Sequence, residues 1–208
     1  MSFRIEEKIL IGRNDLLKIQ EFILKNNGGV LHPNRKICSV YFDNKNLQSF
    51  RDSDDGCLPR KKIRIRSYND FKDNFLEKKI TSVEGKFKKS SKITKKIMNK
   101  NFEEGMYDSM YGLTYPLTKI SYYRHYFHIK NSIRITIDYD IVYQSYQNKV
   151  QYFKDNSNLI LEVKSNSPDT VKNLENLIPL RRIRFSKYCS SIENLMAKNH
   201  MQRLQPNL

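Results

Sequence analysis

The sequence is poor in the features that mark secreted, metal-stapled or membrane-spanning chains. Its three cysteines, Cys38, Cys57 and Cys189, are odd in number, far apart and include no CxxC pair. We therefore expect reduced thiols rather than disulfides or a zinc site. No apolar run approaches the roughly 20 residues that span a bilayer. The first residues, MSFRIEEKIL, have no signal-peptide pattern, so we expect a soluble, cytoplasmic protein.

Acidic residues are also scarce relative to basic ones. The 208 residues include 38 lysines and arginines but only 22 aspartates and glutamates, which gives a net charge of +16 and a pI near 9.7. Hydrophobic residues make up only 38%, yet 13 tyrosines and 11 phenylalanines favour a folded chain over a disordered one. The charge excess predicts an anionic partner. It does not choose among nucleic acid, a membrane surface, nucleotides and polyphosphate.

The hydrophobic pattern predicts mostly strands, with helices in a few places. Helices are predicted over RNDLLKIQEFILKN, NKNLQSFRDS, SPDTVKNLENLI (with Pro168 at its start) and SKYCSSIENLMAKN, while ITKKIMNKNFEEGMYDSMYG is helical or irregular. The predicted strands are FRIEEKILIG, KICSVYFD, PRKKIRIRSY, NFLEKKITS, GKFKKSSK, PLTKISYYRHYFHI, SIRITIDYDIVYQ and NLILEVKS. Because there is no repeat or linker, residues 1–208 are predicted to form a single antiparallel-rich α+β domain.

Charged and apolar side chains alternate along nearly every predicted strand. In PRKKIRIRSY one face carries Arg60, Lys62, Arg64 and Arg66, and the other carries Ile63 and Ile65. Neighbouring same-face positions lie roughly 7 Å apart, so this row repels itself unless water, carboxylates or a polyanion neutralises it. A sheet closed into a barrel, with charges inside and helices outside, would form a tunnel lined by cations for a linear polyanion. Interspersed carboxylates could hold a divalent metal there.

Two other readings of the charged faces stay open at this point. A single charged strand face more often meets solvent, but here the pattern recurs over six or seven strands and is mainly arginine and lysine. Alternatively, a nucleic-acid-binding module would explain the cations and the aromatics beside them. It would not explain Glu6, Glu77 and Glu162, which repel a phosphate backbone unless a metal intervenes.

Nine short segments, in this order and spacing, resemble the VTC domain, the polyphosphate polymerase domain of the vacuolar transporter chaperone complex. They are EEKILI, SVYFDN, RKKIRIRSY, FLEKKI, GKFKK, YYRHYF, IRITIDYD, LILEVK and RFSKY. That domain belongs to the triphosphate tunnel metalloenzymes, together with CYTH adenylate cyclases and triphosphatases. The resemblance implies an eight-stranded antiparallel tunnel barrel with helices packed outside. It also implies a bound nucleoside triphosphate or polyphosphate, and a divalent metal, Mn²⁺ or Mg²⁺.

Carried over position by position, the resemblance implies a set of site residues. Phosphate binding and catalysis would fall on Lys8, Arg64, Arg66 and Arg134, with further substrate contacts from Arg60, Lys79, Lys86, Lys88, Arg124, Arg184, Ser186 and Lys187. Glu162, with Glu6, would hold the metal. Tyr122 shares a face with Arg124 and could hydrogen-bond phosphate or simply pack. His125 and His128 lie on opposite faces of their strand and are predicted to pack.

The resemblance favours a phosphotransferase that moves the terminal phosphate of ATP onto a polyphosphate chain. The first strand reads E-E-K rather than the ExExK of the CYTH branch, so a second first-strand carboxylate facing the tunnel is missing. This favours a polymerase over a two-metal triphosphatase, which remains the alternative, as does a catalytically silent polyphosphate-binding module. The expected partners are ATP or another nucleoside triphosphate and inorganic polyphosphate, triphosphate or pyrophosphate, without nucleic acid.

Overall fold

Antiparallel strands dominate the structure, as the α+β prediction required. A computed structural model describes residues 5–69, 73–130, 133–147, 149–155, 157–165 and 181–204. The strands are β1 (Ile5–Gly12), β2 (Gly28–Asp43), β3 (Arg60–Tyr68), β4 (Asp73–Ser82), β5 (Gly85–Ile93), β6 (Met106–Asp108), β7 (Gly112–Ile129), β8 (Ile133–Ser145), β9 (Gln151–Asp155), β10 (Asn158–Ser165) and β11 (Arg181–Arg182). Over the described ranges, eight strands have at least eight residues, the number predicted, and β6, β9 and β11 are shorter.

The helices are few and mostly short. They are α1 (Leu16–Lys25), which follows a 3-10 helix at Arg13–Asp15, then α2 (Gln48–Asp55), α3 (Lys95–Glu104) and α4 (Lys187–Leu204). The ambiguous segment after β5 is helical because the Thr94 hydroxyl caps α3, accepting a hydrogen bond from the Ile97 amide at 3.3 Å. The helix predicted at Pro168 lies outside the described residues. Among the described helices, none is long and apolar enough to cross a membrane.

The chain divides into two compact units. The first comprises Met1–Lys36, Tyr122–Ile141 and Asp155–Phe185, and the second comprises Ile37–Ser121, Val142–Lys154 and Ser186–Leu208. Strands in the first unit follow the hydrogen-bonded order β11-β1-β10-β8-β7-β2, and those in the second include the run β2-β3-β4-β5. The strands β2, β7 and β8 each contribute residues to both units. The assignment of residues 1–208 to one domain stays a prediction.

The apolar core of the first unit lies on one face of its strands, under α1. Register pairs Ile9 with Leu161 and Leu161 with Ile137, so these three side chains share a face. They are fully buried together with Ile19 and Ile23 of α1. The apolar face is therefore covered by a helix, as the alternation predicted.

The second unit repeats this arrangement with different elements. Ile63 and Ile65 of β3 pack with Val40 and Phe42 of β2 and with Met98 of α3. Both isoleucines are 1% exposed. The prediction that they face away from the cation row is confirmed.

One cation nevertheless lies on the apolar side of β3. The Lys61 ammonium donates to both carboxylate oxygens of Asp108, at 2.8 and 3.0 Å, and Lys78 donates to the same carboxylate at 2.9 Å. Burial alone would raise the pKa of Asp108, but hydrogen bonds from Lys61 and Lys78 hold it at about 2. A buried ammonium is tolerated here because its charge is paired.

Strand β2 begins eight residues before the predicted strand. The sequence GGVLHPNR looks like a turn because it contains two glycines and a proline, yet Gly28 already belongs to β2. A Cβ atom at Gly28 would lie 2.4 Å from the backbone oxygen of His128 in β7. Glycine is required there because the two backbones approach closely, not because the chain turns.

Replacing Leu161 with alanine tests the core of the first unit. Leu161 is fully buried, whereas Leu17 on α1 is 70% exposed, so Leu17→Ala is a control with the same chemical change. We expect Leu161→Ala to lower the free energy of unfolding by about 2–5 kcal/mol, because transfer and cavity costs add. The control, Leu17→Ala, should lower the free energy of unfolding by under about 1 kcal/mol. Urea unfolding measures both, and equal losses would contradict the assigned core.

Candidate functional site

The second unit carries a dense row of cations on the face opposite its apolar core. Register pairs Arg64 with Tyr41 of β2 and with Glu77 of β4, so the three side chains lie side by side. The same face includes Lys62, Arg66, Lys79 and Lys88. We call these seven residues, Tyr41, Lys62, Arg64, Arg66, Glu77, Lys79 and Lys88, the β3 cation face.

Glu77 is the anionic centre of the β3 cation face. Arg64 donates to its Oε2 from Nε at 2.8 Å and approaches it with a terminal nitrogen at 2.6 Å. The Arg66 Nε lies 3.8 Å from the same oxygen, and Lys88 pairs with the other oxygen, Oε1. Burial opposes ionisation, but Arg64 and Arg66 hold the pKa of Glu77 at about 2. One carboxylate thus neutralises part of the charge of three cations.

Tyr41 supports Arg64 from its other side. A terminal nitrogen of Arg64 donates to the Tyr41 hydroxyl at 2.7 Å, and the Tyr41 ring stacks on Tyr188 of α4 with centroids 5.1 Å apart. Tyr188 in turn donates to the buried carboxylate of Asp43 at 2.5 Å. Although burial raises the pKa of Tyr41, Arg64 and Arg66 lower it to about 8. The Tyr41 phenol is therefore more acidic than an ordinary tyrosine, because two guanidinium groups lie beside it.

The start of α4 meets the β3 cation face at Lys62. The Lys62 ammonium donates to the Ser186 hydroxyl at 2.8 Å and lies 3.9 Å from the Cys189 sulfur. Burial lowers the pKa of Lys62. Lys187 is the first residue of α4 and helps to lower the pKa of Tyr41. Ser186 and Lys187, both predicted substrate contacts, therefore lie beside this face.

The first unit has its own charged face, opposite the core that α1 covers. Register pairs Lys8 with Glu162, Glu6 with Lys164, and Lys164 with Arg134. Glu7 pairs with Val163 and falls on the other face. Glu6 and Lys8 therefore share the charged face and Glu7 does not, as the E-E-K sequence of the first strand predicted. We call Glu6, Lys8, Arg124, Arg134, Asp138, Glu162 and Lys164 the β10 charged face.

Glu162 occupies the same central position here that Glu77 occupies in the second unit. Lys164 lies 2.9 Å from its Oε1. Burial opposes ionisation, but Lys164, Arg124 and Lys8 hold the pKa of Glu162 at about 2. The Lys8 ammonium also donates to the Phe185 backbone oxygen at 2.9 Å. Glu162 is thus an ionised carboxylate held within a group of cations.

Two carboxylates near Lys164, those of Glu6 and Glu162, have the chemistry of ligands for a hard divalent cation. The Lys164 ammonium lies 2.9 Å from Glu162 and 4.0 Å from Glu6, so a positive charge already lies near both carboxylates. Carboxylate oxygens are the ligands that Mg²⁺ and Mn²⁺ prefer, and Mg²⁺ sites commonly combine one or two carboxylates with substrate phosphates. Within the described ranges there is no cluster of three or more His, Cys, Asp or Glu side chains suited to a metal. The oxygens of the bound phosphates would have to complete the coordination.

Arg124 is fixed by a fork to a buried carboxylate. Its Nε and a terminal nitrogen donate to the two oxygens of Asp138, at 2.5 and 2.7 Å. The guanidinium carbon lies 5.5 Å from the ring centroid of Tyr122 and 5.9 Å from that of Tyr126. Burial opposes the charge, yet Asp138 raises the pKa of Arg124 well above its ordinary value. Tyr122 is buried and packs on Arg124, and the hydrogen bond from Tyr122 to phosphate stays a prediction.

The remaining predicted site residues are less enclosed. Arg60 donates to the backbone oxygens of Gly56 and Cys57, so it supports the turn before β3. The side chains that the structure leaves exposed are Lys86, Lys88, Arg134 and Arg184. The assigned roles of all these residues stay predictions. His125 stacks on Tyr139 with centroids 4.8 Å apart, and burial lowers its pKa.

The site residues predicted from the sequence did not include several groups that the structure places beside them. Lys164, Asp138, Lys62 and Glu77 lie on the predicted charged faces, so alternation alone could have assigned them to the site. Tyr41 carried no such signal, because it is one tyrosine among 13.

A family model matches nearly the whole chain. The model described as "VTC domain" matches residues 3–196. No curated protein sequence matches significantly.

Solved structures with the same fold are distant in sequence. A putative adenylate cyclase from Bacillus halodurans aligns with a TM-score of 0.61 at 11% identity, covering 89% of this chain and 96% of its own. A Pyrococcus horikoshii protein aligns with a TM-score of 0.61 at 10% identity, covering 93% of this chain and 98% of its own. A putative adenylyl cyclase from Hippeastrum aligns with a TM-score of 0.58 at 12% identity, covering 92% of this chain and 96% of its own. That protein is described as having a dominant triphosphatase activity. At these identities the likeness shows the fold, which is that of the triphosphate tunnel proteins.

Acid titration tests the role of Glu77. Its pKa of about 2 lies below the usual value near 4.5, so its stabilising contribution is present above pH 4.5 and is lost as the pH falls towards 2. We expect Glu77→Gln to lower the free energy of unfolding at pH 7 by on the order of 3 kcal/mol. The variant should also lose less stability than the parent between pH 5 and 2. Glu21→Gln, whose side chain is 68% exposed, should match the parent in urea unfolding. A Glu77→Gln variant with the parent's pH profile would disprove the assignment.

Proposed function

Because the chain belongs to the VTC domain family, we propose that it is a metal-dependent polyphosphate polymerase, a phosphotransferase that moves the terminal phosphate of ATP onto a polyphosphate chain. The observation that carries the proposal is the placement of Glu162, which is paired in register with Lys8 and has its carboxylate 2.9 Å from the Lys164 ammonium. In a basic patch that binds nucleic acid, such a carboxylate would repel the phosphate backbone. In a phosphate site with a divalent metal, the carboxylate would be a metal ligand.

For this reaction the protein mainly has to position the two phosphate groups and stabilise negative charge on their oxygens. The bond between the β–γ bridging oxygen and the γ phosphorus of ATP breaks, and a terminal oxygen of the polyphosphate chain forms the new bond to that phosphorus. The acceptor is already anionic at neutral pH, so no strong general base is required. Charge develops on the leaving and equatorial oxygens, and fixed cations stabilise it.

The proposal gives each of the charged groups a role. Arg64 and Arg66 of the β3 cation face would bind phosphate oxygens, with Lys79 and Lys88 beside them. In the first unit, Arg124 and Arg134 would bind phosphates and Lys8 would lie near the reacting phosphate. Glu162 and Glu6 would hold Mn²⁺ or Mg²⁺, which polarises phosphate oxygens when bound.

A triphosphatase is the second candidate. It is favoured by the dominant triphosphatase activity described for the structural neighbour from Hippeastrum. Purified protein incubated with ATP and Mn²⁺, with the products resolved on a gel, separates the candidates. Long polyphosphate supports the polymerase, inorganic phosphate alone supports the triphosphatase, and cyclic nucleotide would contradict both.

Two substitutions separate metal-dependent catalysis from phosphate binding. Glu162→Gln keeps the side-chain volume but removes the charge of the proposed metal ligand, so turnover should fall by about 100-fold or more while tripolyphosphate binding survives. Arg134→Ala should weaken binding and rate together, because its contact exists in the ground state and the transition state. Glu7→Gln, on the opposite face of β1, is the matched control. Parent-like turnover of Glu162→Gln in Mn²⁺ would remove Glu162 from the site.

Ligand linkage tests the anion class. Because the cations repel one another in the free protein, tripolyphosphate should raise the melting temperature in proportion to ln(1 + [L]/Kd). Duplex and single-stranded DNA should do much less at physiological salt. Equal stabilisation by DNA would favour a nucleic-acid-binding module instead. Stabilisation by tripolyphosphate without any turnover of ATP would favour a silent polyphosphate-binding protein.

A further inference from the structure

A pocket in the second unit lies apart from the β3 cation face. Its volume is about 900 Å³, at the upper end of the range for small-molecule sites. Two of the residues that line it, Phe102 and Tyr146, pack against the apolar cluster behind β3. Of the described residues that line it, none belongs to the β3 cation face. The proposed reaction does not use this pocket.

Aromatic rings form much of its wall. Phe102 of α3 and Tyr146, just after β8, lie with ring centroids 5.2 Å apart. Tyr115 of β7 adds a third ring. Over the described part of the chain, the hydroxyls of Tyr115 and Tyr146 form no hydrogen bond within the protein. The wall therefore contains three aromatic rings, and two of them carry hydroxyls available to a ligand.

Three lysines also line the pocket. Lys45, Lys119 and Lys149 line the pocket, and among the described residues none of their ammonium groups has a carboxylate within 4.0 Å. The described wall contains a single acidic residue, Asp43. Its oxygens already accept hydrogen bonds from the backbone amides of Ser49 and Phe50 and from other groups. The three ammonium charges are left for a ligand.

We propose that this pocket is a second ligand site, for a nucleoside monophosphate or a similar aromatic anion, distinct from the phosphate-transfer site. An aromatic base would stack on the rings, and its phosphate would be bound by the lysines. A bare polyphosphate would leave the rings unused, and a nucleoside without phosphate would leave the lysines unpaired. The pocket therefore favours molecules that carry both groups.

The chain offers a clean optical test because it contains no tryptophan. Tyr115→Trp places a single reporter in the pocket wall. Tyr107→Trp is the matched control, because Tyr107 is 77% exposed and is not part of the wall. We expect AMP to change the emission of Tyr115→Trp saturably and to leave that of Tyr107→Trp unchanged. Adenosine and tripolyphosphate should each need at least about tenfold higher concentration for the same change.

Charge reversal and photolabelling complete the test. Lys119→Glu, added to the reporter, should raise the half-saturating AMP concentration about tenfold or more. Lys89→Glu, on an exposed lysine of β5 outside the wall, should not. In the otherwise unaltered chain, photolabelling with 8-azido-AMP should modify Tyr115 or Tyr146 peptides, and Lys119→Glu should reduce the labelling.

Three outcomes would overturn the proposal. They are an unchanged Tyr115→Trp emission with no labelling, equal responses from both reporters, and tighter binding of a glutamate-rich peptide than of AMP. The AMP response should persist in Arg64→Ala, which alters the β3 cation face and leaves the pocket wall intact. Failure of the polymerase assay and failure of this site are thereby distinguished.

Discussion

Repulsion among cations held on one strand face is the constraint on which the rest of the structure depends. Neighbouring same-face positions lie only about 7 Å apart, too close for bare like charges in a partly buried setting. Both units solve the problem in the same way. In each unit a carboxylate lies among the cations, Glu77 in one and Glu162 in the other, and stays ionised at a pKa of about 2.

This neutralisation is partial, and it also orients the cations. Arg64 is held between Glu77 and Tyr41, and Arg124 is held in a fork by Asp138. Their guanidinium planes are therefore set before any anion arrives, so less conformational entropy is lost on binding. On the β3 cation face the one carboxylate of Glu77 pairs with Arg64, Arg66 and Lys88 and cannot neutralise all three, so positive charge remains there for phosphate. The same groups that let the protein fold thus prepare it to bind a polyanion.

Much of the fold and part of the site could be predicted from alternation alone. It assigned Ile63 and Ile65 to the core and their neighbours to the cation row, because a strand's period of two leaves no other division. It could not show that Lys61, on the apolar side, is paired with Asp108 from a strand 47 positions later. It also could not identify Tyr41, whose role comes from contacts with Arg64 and with a distant helix. Such pairings depend on tertiary proximity, which periodicity does not encode.

The number of carboxylates on the β10 charged face bears on which reaction the chain performs. Glu6 and Glu162 lie near the same ammonium, Glu7 faces the other way, and Asp138 is engaged by Arg124. Two carboxylates can hold one hard cation with help from phosphate oxygens, whereas a two-metal clamp calls for more negative charge. If a single metal bound there, more of the neutralisation would fall to the fixed arginines and lysines of the strands. A distributed set of cations suits a chain in which every phosphate is charged, and this is the physical reason to favour polyphosphate synthesis over hydrolysis of a single triphosphate.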